Sequence, residues 1–203
     1  MQKLATVGIS HIRIPYGYWL VDVEPGEPFP APPSSDSEGQ RFYLKRMIQW
    51  AEQAGLKVEN RNYLAKCLQD ILMISCKVML DLHGAPGSQN GFDNSGRRGE
   101  ARWHENRNPE RTTRILGKVA RLVKGWIDEG SIQASTIHGI ELLNEPAGFY
   151  PWIWNVCKDY FYSAGYHELR KVFRNPLQNL VVIQQAFRDL NDFNNFMRPP
   201  VIS

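Results

Sequence analysis

A short apolar run that ends in an amide, a carboxylate and a proline constrains this chain most. The run around Leu142 and Leu143 is typical of a strand buried on both faces, and Asn144, Glu145 and Pro146 follow it at once. Because proline has no N–H to donate, Pro146 predicts the end of the strand and leaves Asn144 and Glu145 at its carboxyl end. Catalytic groups of α/β folds lie at that end. A carboxylate desolvated by apolar neighbours suits general-acid chemistry, although the same residues could simply cap the next helix.

Two further segments repeat this arrangement of an apolar strand that runs into polar residues. Residues 77–96 pass from such a strand through His83 into a loop dense in glycine, asparagine and aspartate. Residues 8–19 again place a polar residue and a proline, Arg13 and Pro15, at the expected end of a strand. The carboxyl ends of parallel strands share one edge of a sheet, so these polar residues are expected to converge there.

Hydrophobic periodicity predicts an α/β chain in which strands and helices alternate. Strands are expected near residues 8–14, 78–82, 138–143 and 180–183. Helices are expected over residues 40–53, from about residue 109 to residue 130, and over most of 150–173. This alternation implies a parallel sheet with right-handed crossover connections.

The strand-end segments closely resemble the exo-β-1,3-glucanase branch of glycoside hydrolase family 5, over most of residues 1–58 and 78–200. Many retaining glycosidases carry Asn-Glu-Pro, whereas the loop from Asp81 to Gly96 is narrower and points to the glucanase branch. The resemblance implies a TIM (β/α)8 barrel. Only about four of its eight strand-helix units are visible, so we expect residues 1–203 to form a partial barrel, truncated at both ends.

The resemblance also assigns roles to the polar residues at the strand ends. Glu145 would be the general acid that protonates the leaving glycosidic oxygen and later activates water, and Asn144 would bind the 2-hydroxyl of the sugar being cleaved. Arg13 would orient the catalytic carboxylates, with a structural ion pair as its alternative role. His83 would donate a hydrogen bond to a sugar hydroxyl. These roles imply β-glucan as the partner, and they imply no metal and no cofactor.

The loop after the second predicted strand would define exo action. Asp93 and Asn94 resemble residues that grip hydroxyls of the terminal glucose and block the cleft, and Phe92 resembles a stacking aromatic at its mouth. The implied function is hydrolysis of β-1,3-glucan from its end, releasing glucose with retained configuration, in polysaccharide catabolism or cell-wall remodelling.

The nucleophile of that reaction is expected to be absent. Retaining hydrolysis needs a second carboxylate about 5–5.5 Å from the acid. By the resemblance it comes from a late strand beyond Ser203, and no Asp or Glu here matches its motif. This chain alone is therefore expected to be inactive. Two alternatives stay open: a glucan-binding remnant without catalysis, and an unstable fragment of a gene product.

A repeated strand start indicates an insertion. Lys57-Val58 follows the first predicted helix, and Lys77-Val78 begins what looks like the same strand again. Joining Lys57 to Val78 gives an ordinary passage from helix to strand. We interpret residues 58–77 as a translated intron, because valine codons begin with GT and one lysine codon ends in AG. A real helical insertion is the alternative, since apolar residues in this segment fall at helical spacing.

Composition excludes some classes of function. The net charge is +3 with 22% charged residues, so a dedicated polyanion binder is not expected. The basic residues between Arg97 and Lys124 are mixed with Glu100, Glu105 and Glu110, which favours a solvated helix face over a nucleic-acid site. No apolar run is long enough to span a membrane, and the three cysteines form neither a disulfide framework nor a metal spacing.

Two further expectations concern targeting and aromatic residues. Met1 to Ser10 holds no basic start followed by an apolar core, so no signal peptide is expected in this chain, although the family implies an extracellular or cell-wall location. The oligomeric state is not predicted. Six tryptophans invite a sugar-groove interpretation, yet core packing is expected for four of them, Trp19, Trp103, Trp152 and Trp154.

Overall fold

Four parallel strands form one sheet in the computed structural model of this chain. The structure describes residue 4 and residues 7–55, 76–175, 179–194 and 196. The strands are β1 (His11–Gly17), β2 (Lys77–Gly84), β3 (Ile137–Glu141) and β4 (Leu180–Val182). They lie side by side in chain order, β1-β2-β3-β4, and every pair is parallel. The predicted parallel α/β arrangement is confirmed.

Helices connect these strands at the predicted positions. They are α1 (Gly39–Gly55), α2 (Asn108–Asp128), α3 (Pro151–Val156) and α4 (Tyr162–Arg170), with a π-helical turn (Cys157–Phe161) joining the last two. Short 3₁₀ turns occupy Tyr18–Leu20, Asp93–Ser95, Ala134–Thr136 and Leu190–Phe193. Over the described ranges, no helix combines the length and the apolar character that a membrane crossing requires.

The two faces of the sheet differ in chemistry, and this difference positions the site. Along β2, Val78, Leu80 and Leu82 are fully buried in one cluster with Ile48 of α1 and Val123 of α2. The residues between them face the other way, because side chains alternate along a strand. Helices therefore cover one face of the sheet, and the other face carries the polar residues of the strands.

The first strand begins and ends later than predicted. Its predicted range was 8–14 with Pro15 as its end, but Pro15 lies inside β1 and is paired with Asp81 of β2. In the described part of the chain, β1 pairs on one side only, and an edge strand tolerates a residue without an N–H. Arg13 consequently lies in the middle of β1, and its predicted position at a strand end is wrong.

Most of the suspected insertion lies outside the described residues. Of the range 58–77, only Cys76 and Lys77 are described. Lys77 opens β2 opposite His11, and the buried Cys76 donates from its thiol to the carbonyl of Ile9 over 3.2 Å. Our interpretation of this segment as a translated intron, and the expected exposed helix over 59–76, stay predictions.

Candidate active site

The loops after β2 and β3 meet at the carboxyl edge of the sheet. The backbone N–H of Asn144 donates to the carbonyl of Leu82 over 2.9 Å, which ties the end of one strand to the end of its neighbour. Glu145 follows in a left-handed conformation, with φ at 46°, directly before Pro146. Such backbone costs about 1–3 kcal/mol for a residue other than glycine and clusters at active sites. Glu145 shares this conformation with four other residues of the described ranges, Ser88, Asn106, Ala186 and Phe187, and it is the one that lies in the Asn-Glu-Pro turn.

Three asparagines hold Glu145. Asn94 donates from Nδ2 to Glu145 Oε2 over 2.9 Å, and Asn144 Nδ2 lies 3.5 Å from the same oxygen. The buried Asn90 donates to the backbone carbonyl of Glu145 over 3.1 Å. Both the carboxylate and the strained backbone of Glu145 therefore have fixed partners, which come from two different loops.

Gln89 is a structural element of the site that sequence reasoning missed. Its side chain is fully buried, and its Nε2 donates to the carbonyl of His83 over 2.8 Å and to that of Asn144 over 3.0 Å. Its Oε1 accepts from the N–H of Ala85 over 3.1 Å. One amide thus fastens the two strand ends together. The only signal in the sequence was its place inside a motif-rich loop.

Arg13 reaches across the sheet from the middle of β1. Its Nε donates to Glu141 Oε2 over 2.8 Å, and its second amino group donates to Asn144 Oδ1 over 2.8 Å and lies 3.2 Å from Asp81 Oδ2. The guanidinium therefore contacts Asn144 directly, although Arg13 is not at a strand end. Its two carboxylate partners are Asp81 and Glu141, which corresponds to the alternative ion-pair role, and the predicted role of orienting the catalytic carboxylates stays a prediction.

Asp81 and Glu141 are buried carboxylates that sequence reasoning did not select. Burial raises the pKa of the Asp81 carboxyl, while hydrogen bonding to His83 and the charge of Arg13 oppose that rise. Burial and the charge of Asp81 raise the pKa of Glu141, and Arg13 opposes this rise. A charged residue between apolar neighbours, as Asp81 stands between Leu80 and Leu82, was the signal that could have found them.

His83 is held by Asp81. Its Nδ1 lies 2.6 Å from Asp81 Oδ2, and its side chain is about one quarter exposed, at 28%. If Nδ1 carries the proton that Asp81 accepts, a neutral ring leaves Nε2 as an acceptor. Donation to a sugar hydroxyl, the predicted role, then requires the imidazolium form. No group of three or more His, Cys, Asp or Glu side chains within the described residues is arranged to hold a metal ion.

A pocket of about 220 Å³ lies beside this network. His83, Asp93 and Asn94 line it together with Trp19, whose indole occupies the space over three glycines. An added Cβ at these glycines would come within 3 Å of the Trp19 ring; they are Gly17, Gly84 and Gly96. The side-chain-free backbone at these positions thus makes room for the indole that forms a wall of the pocket.

The predicted site residues are arranged in an inner and an outer group. Arg13, His83, Asn94, Asn144 and Glu145 share one connected set of polar contacts, in which Asp81 links His83 to Arg13. The outer group consists of Phe92 and Asp93, which are exposed on the loop after β2. Phe92 packs its ring 6.4 Å from the ring of Phe187, which follows β4.

The tryptophans follow the expectation of core packing except at one position. Trp103 and Trp154 are buried, and Trp19 is packed against the core while it lines the pocket. Trp152 is half exposed, so core packing was the wrong prediction there. Its position at the start of α3 leaves the ring outside the sheet-helix interface.

Comparison with known proteins reveals relatives over nearly the whole chain. It is 36% identical to the glucan 1,3-beta-glucosidase of Blumeria graminis, over 96% of this chain and 36% of that protein. It is 33% identical to the probable glucan 1,3-beta-glucosidase A of Aspergillus niger, over 97% of this chain and 38% of the relative. Glucan 1,3-beta-glucosidase 1 of Schizosaccharomyces pombe is 36% identical over 93% of this chain and 37% of its own length. No family model matches the chain.

Solved structures with the same fold were also found. The crystal structure of AoRut matches with a TM-score of 0.64 and 20% identity, over 95% of this chain and 48% of that chain. The rutinosidase from Aspergillus niger matches with a TM-score of 0.59 and 20% identity, over 94% and 48%. This likeness shows the fold, which is part of a TIM barrel with four parallel strand-helix units.

Parallel strand-helix units with an Asn-Glu pair at a strand end fit a barrel of the glycoside hydrolase class. Within that class, identities of 33–36% over nearly the whole chain point to the glucan 1,3-β-glucosidase type of glycoside hydrolase family 5. It spans somewhat more than a third of the length of the curated relatives it matches.

Proposed function

We propose that the protein is a glycoside hydrolase that cleaves β-1,3-glucan from its end and releases glucose with retained configuration. Glu145 is the general acid, and Asn144 binds the sugar 2-hydroxyl. Asp93 and Asn94 hold the terminal glucose, and Phe92 stacks against the sugar at the mouth of the site. The names of the sequence relatives support this substrate class.

The observation that carries the proposal is the way Glu145 is held. Its carboxylate accepts a hydrogen bond from Asn94, its backbone carbonyl accepts one from Asn90, and its φ is positive. A helix cap needs none of these contacts, whereas an acid must be fixed relative to the bond that it protonates. The pocket of about 220 Å³ lined by Asn94 and His83 gives a sugar ring a place next to the acid.

The nucleophile is not proposed among the described carboxylates. Asp81 and Glu141 lie in the same network, but their side chains are almost fully buried and both contact Arg13. A nucleophile must reach the anomeric carbon, which a buried carboxylate held by a guanidinium cannot do. We therefore assign Asp81 and Glu141 to positioning Arg13, and we expect the nucleophile on another strand.

The test uses the protein expressed from its complete reading frame and purified free of host glucanases. Glucose release is measured from β-1,3-glucan, and β-1,4- and β-1,6-glucans serve as comparison substrates. We expect release of β-glucose, because the β configuration of the substrate is retained. Release should be faster from β-1,3-glucan than from the other two glucans. Release with the opposite anomer, or a preference for another linkage, would contradict the proposal.

For the polypeptide of residues 1–203 itself, we propose a second function, glucan binding without turnover. It is favoured by the burial of Asp81 and Glu141, because neither carboxylate can then act as the nucleophile. General acid catalysis contributes about 10²–10⁴-fold and does not replace a covalent route. We expect this polypeptide to bind β-1,3-glucan oligosaccharides weakly and to release no glucose. Turnover that Glu145→Ala abolishes would refute this second proposal.

For the site of action we propose the cell wall or the medium outside the cell. The proposed substrate, β-1,3-glucan, is a polymer that an enzyme meets there, and the relatives are fungal proteins named for the same linkage. Fractionation of cells into wall, medium and cytosol, followed by immunodetection of the protein, tests this assignment.

A further inference from the structure

Three aromatic residues form an exposed platform next to the site. Phe149, Tyr150 and Trp152, hereafter the aromatic platform, lie between the Asn-Glu-Pro turn and the first turn of α3. Trp152 is 50% exposed, and the other two are exposed as well. The rings of Tyr150 and Trp152 are stacked 5.0 Å apart, with an interplanar angle of 13°. The three rings are contiguous on the surface, and contiguous exposed apolar patches mark interaction sites more often than single exposed residues do.

The platform is continuous with the candidate active site. Phe149 lies 4.7 Å from Tyr150 and 5.7 Å from Phe187, measured between ring centroids, and Phe187 in turn faces Phe92 at the mouth of the site. The loops after β2 and β4 flank the platform, and both are described. Ala147 N donates to the carbonyl of Gln89 over 3.0 Å, which fixes the platform to the first of these loops.

A polar pocket adjoins the aromatic rings. It has a volume of about 420 Å³ and is lined by Tyr150, Trp152, His104, Asn90, the Arg102–Glu105 ion pair and Glu100. That volume lies within the range of small-molecule sites, roughly 300–1,000 Å³. Asn90 also donates to the backbone of Glu145, so the pocket and the acid share one residue. Aromatic faces beside charged and amide groups suit a ligand with an apolar face and a polar rim.

We propose that the aromatic platform and its pocket bind a second stretch of the β-glucan chain, outside the position where cleavage occurs. The C–H face of a pyranose packs on Tyr150 or Trp152, and its hydroxyls contact Arg102, Glu105 and Glu100. The identity of the sugar as β-1,3-glucan rests on the proposed function. The platform itself rests on the exposed rings and the pocket.

The experiment is affinity electrophoresis of the 203-residue chain in gels that contain soluble β-1,3-, β-1,4- or β-1,6-glucan. Trp152→Ala and Tyr150→Ala are compared with Trp50→Ala, which removes a tryptophan of similar exposure (42%) from α1. We expect about tenfold weaker retention for each platform variant, as for other central aromatic contacts, and no change for the control. Circular dichroism melts confirm that each variant is folded.

The outcomes separate this inference from the proposed function. If the wild type is retained most by another glucan and Trp152→Ala removes that retention, the platform proposal is supported and the proposed specificity for β-1,3-glucan is contradicted. If retention by β-1,3-glucan is the same for wild type and both platform variants, the platform proposal is overturned and the proposed function is untouched. Absence of wild-type retention in every gel overturns the platform proposal. The proposal is also overturned if the platform variants keep their retention and lose self-association in sedimentation, since the rings would then contact a second copy of the chain.

Discussion

The amide of Asn94 donates to the carboxylate of Glu145 over 2.9 Å, from a 3₁₀ turn in one strand-end loop to the end of the next strand. This contact joins two segments that lie 51 positions apart in the sequence. It holds the side chain that the resemblance names as the acid, so the loop after β2 takes part in placing the chemistry at the end of β3.

Asn94→Ala is expected to lower kcat/KM for β-1,3-glucan by about two- to tenfold. The lost hydrogen bond is solvent-exposed and worth about 0.5–1.5 kcal/mol. Asn94→Asp should lower it further, because it places a second negative charge next to Glu145. Steady-state kinetics of the complete protein measures both effects. Asn155→Ala, on the exposed surface of α3, is the control, and an Asn94→Ala variant as active as this control would contradict the assignment.

Gln89→Leu is expected to destabilise the fold by about 2–5 kcal/mol. Leucine has a similar size but leaves the carbonyls of His83 and Asn144 unpaired, and each buried unpaired group costs about 1–3 kcal/mol. Urea unfolding of the 203-residue chain, followed by circular dichroism, gives the free energy of unfolding. Gln53→Leu makes the same change at an exposed position of α1 and should lie within about 0.5 kcal/mol of wild type. Equal stability of the two variants would show that Gln89 does not fasten the strand ends.

The free energy of unfolding should depend on pH through Glu141. Burial raises the pKa of Glu141 in the folded protein, so the folded state binds this proton more tightly than the unfolded state. Stability from this group is present below the unfolded pKa and is lost as the pH rises through the raised, folded pKa. Glu141→Gln should therefore make the fall in stability over this range shallower.

Comparison of variants isolates that contribution. The pKa values of Asp22, Glu27 and Glu168 are lowered by their basic partners, and these groups act with the opposite sign at more acid pH. They are common to all variants and cancel in the difference. Asp81, whose pKa is also raised by burial and which shares Arg13 with Glu141, acts with the same sign as Glu141. Glu38→Gln, at an exposed position, removes the same charge. If Glu38→Gln and Glu141→Gln change the pH dependence equally, burial of Glu141 is not the cause.

Removal of residues 58–77 is expected to leave the β1–β2 pairing intact. The deletion places Lys57 directly before Val78, so a lysine still opens β2 opposite His11. The change in loop-closure entropy is about 1 kcal/mol or less, so the unfolding midpoint should be equal or higher. Transcript sequencing tests the origin of the segment. Mature messages that all contain these codons would refute the intron interpretation.

Local sequence patterns predicted most of the fold because β2, β3 and β4 contain short apolar runs and the helices between them show helical periodicity. The end of β1 was misplaced because Pro15 is normally a strand terminator, and its tolerance depends on the edge position that the sheet order gives it. Helix periodicity was reliable for α1 and α2, whose buried faces recur at helical spacing.

The candidate site was only partly predictable for a related reason. Glu145, Asn144 and His83 stand at strand ends, which a local pattern reveals. Gln89 and Asp81 act through contacts with distant segments, such as Asn144 and Arg13, and no local pattern encodes those partners. Trp152 was assigned to the core because its hydrophobicity is visible in the sequence and its exposure is not.

The central claim is that Glu145 is the general acid of a β-1,3-glucan-cleaving site. The most direct measurement compares wild type and Glu145→Gln, in the protein from the complete reading frame, on β-1,3-glucan and on an aryl glucoside with an activated leaving group. Glutamine keeps the shape of glutamate but cannot protonate the leaving oxygen. We therefore expect kcat/KM to fall about 10²–10⁴-fold on the glucan and much less on the aryl glucoside, whose leaving group needs no proton. Equal losses on the two substrates would contradict the account.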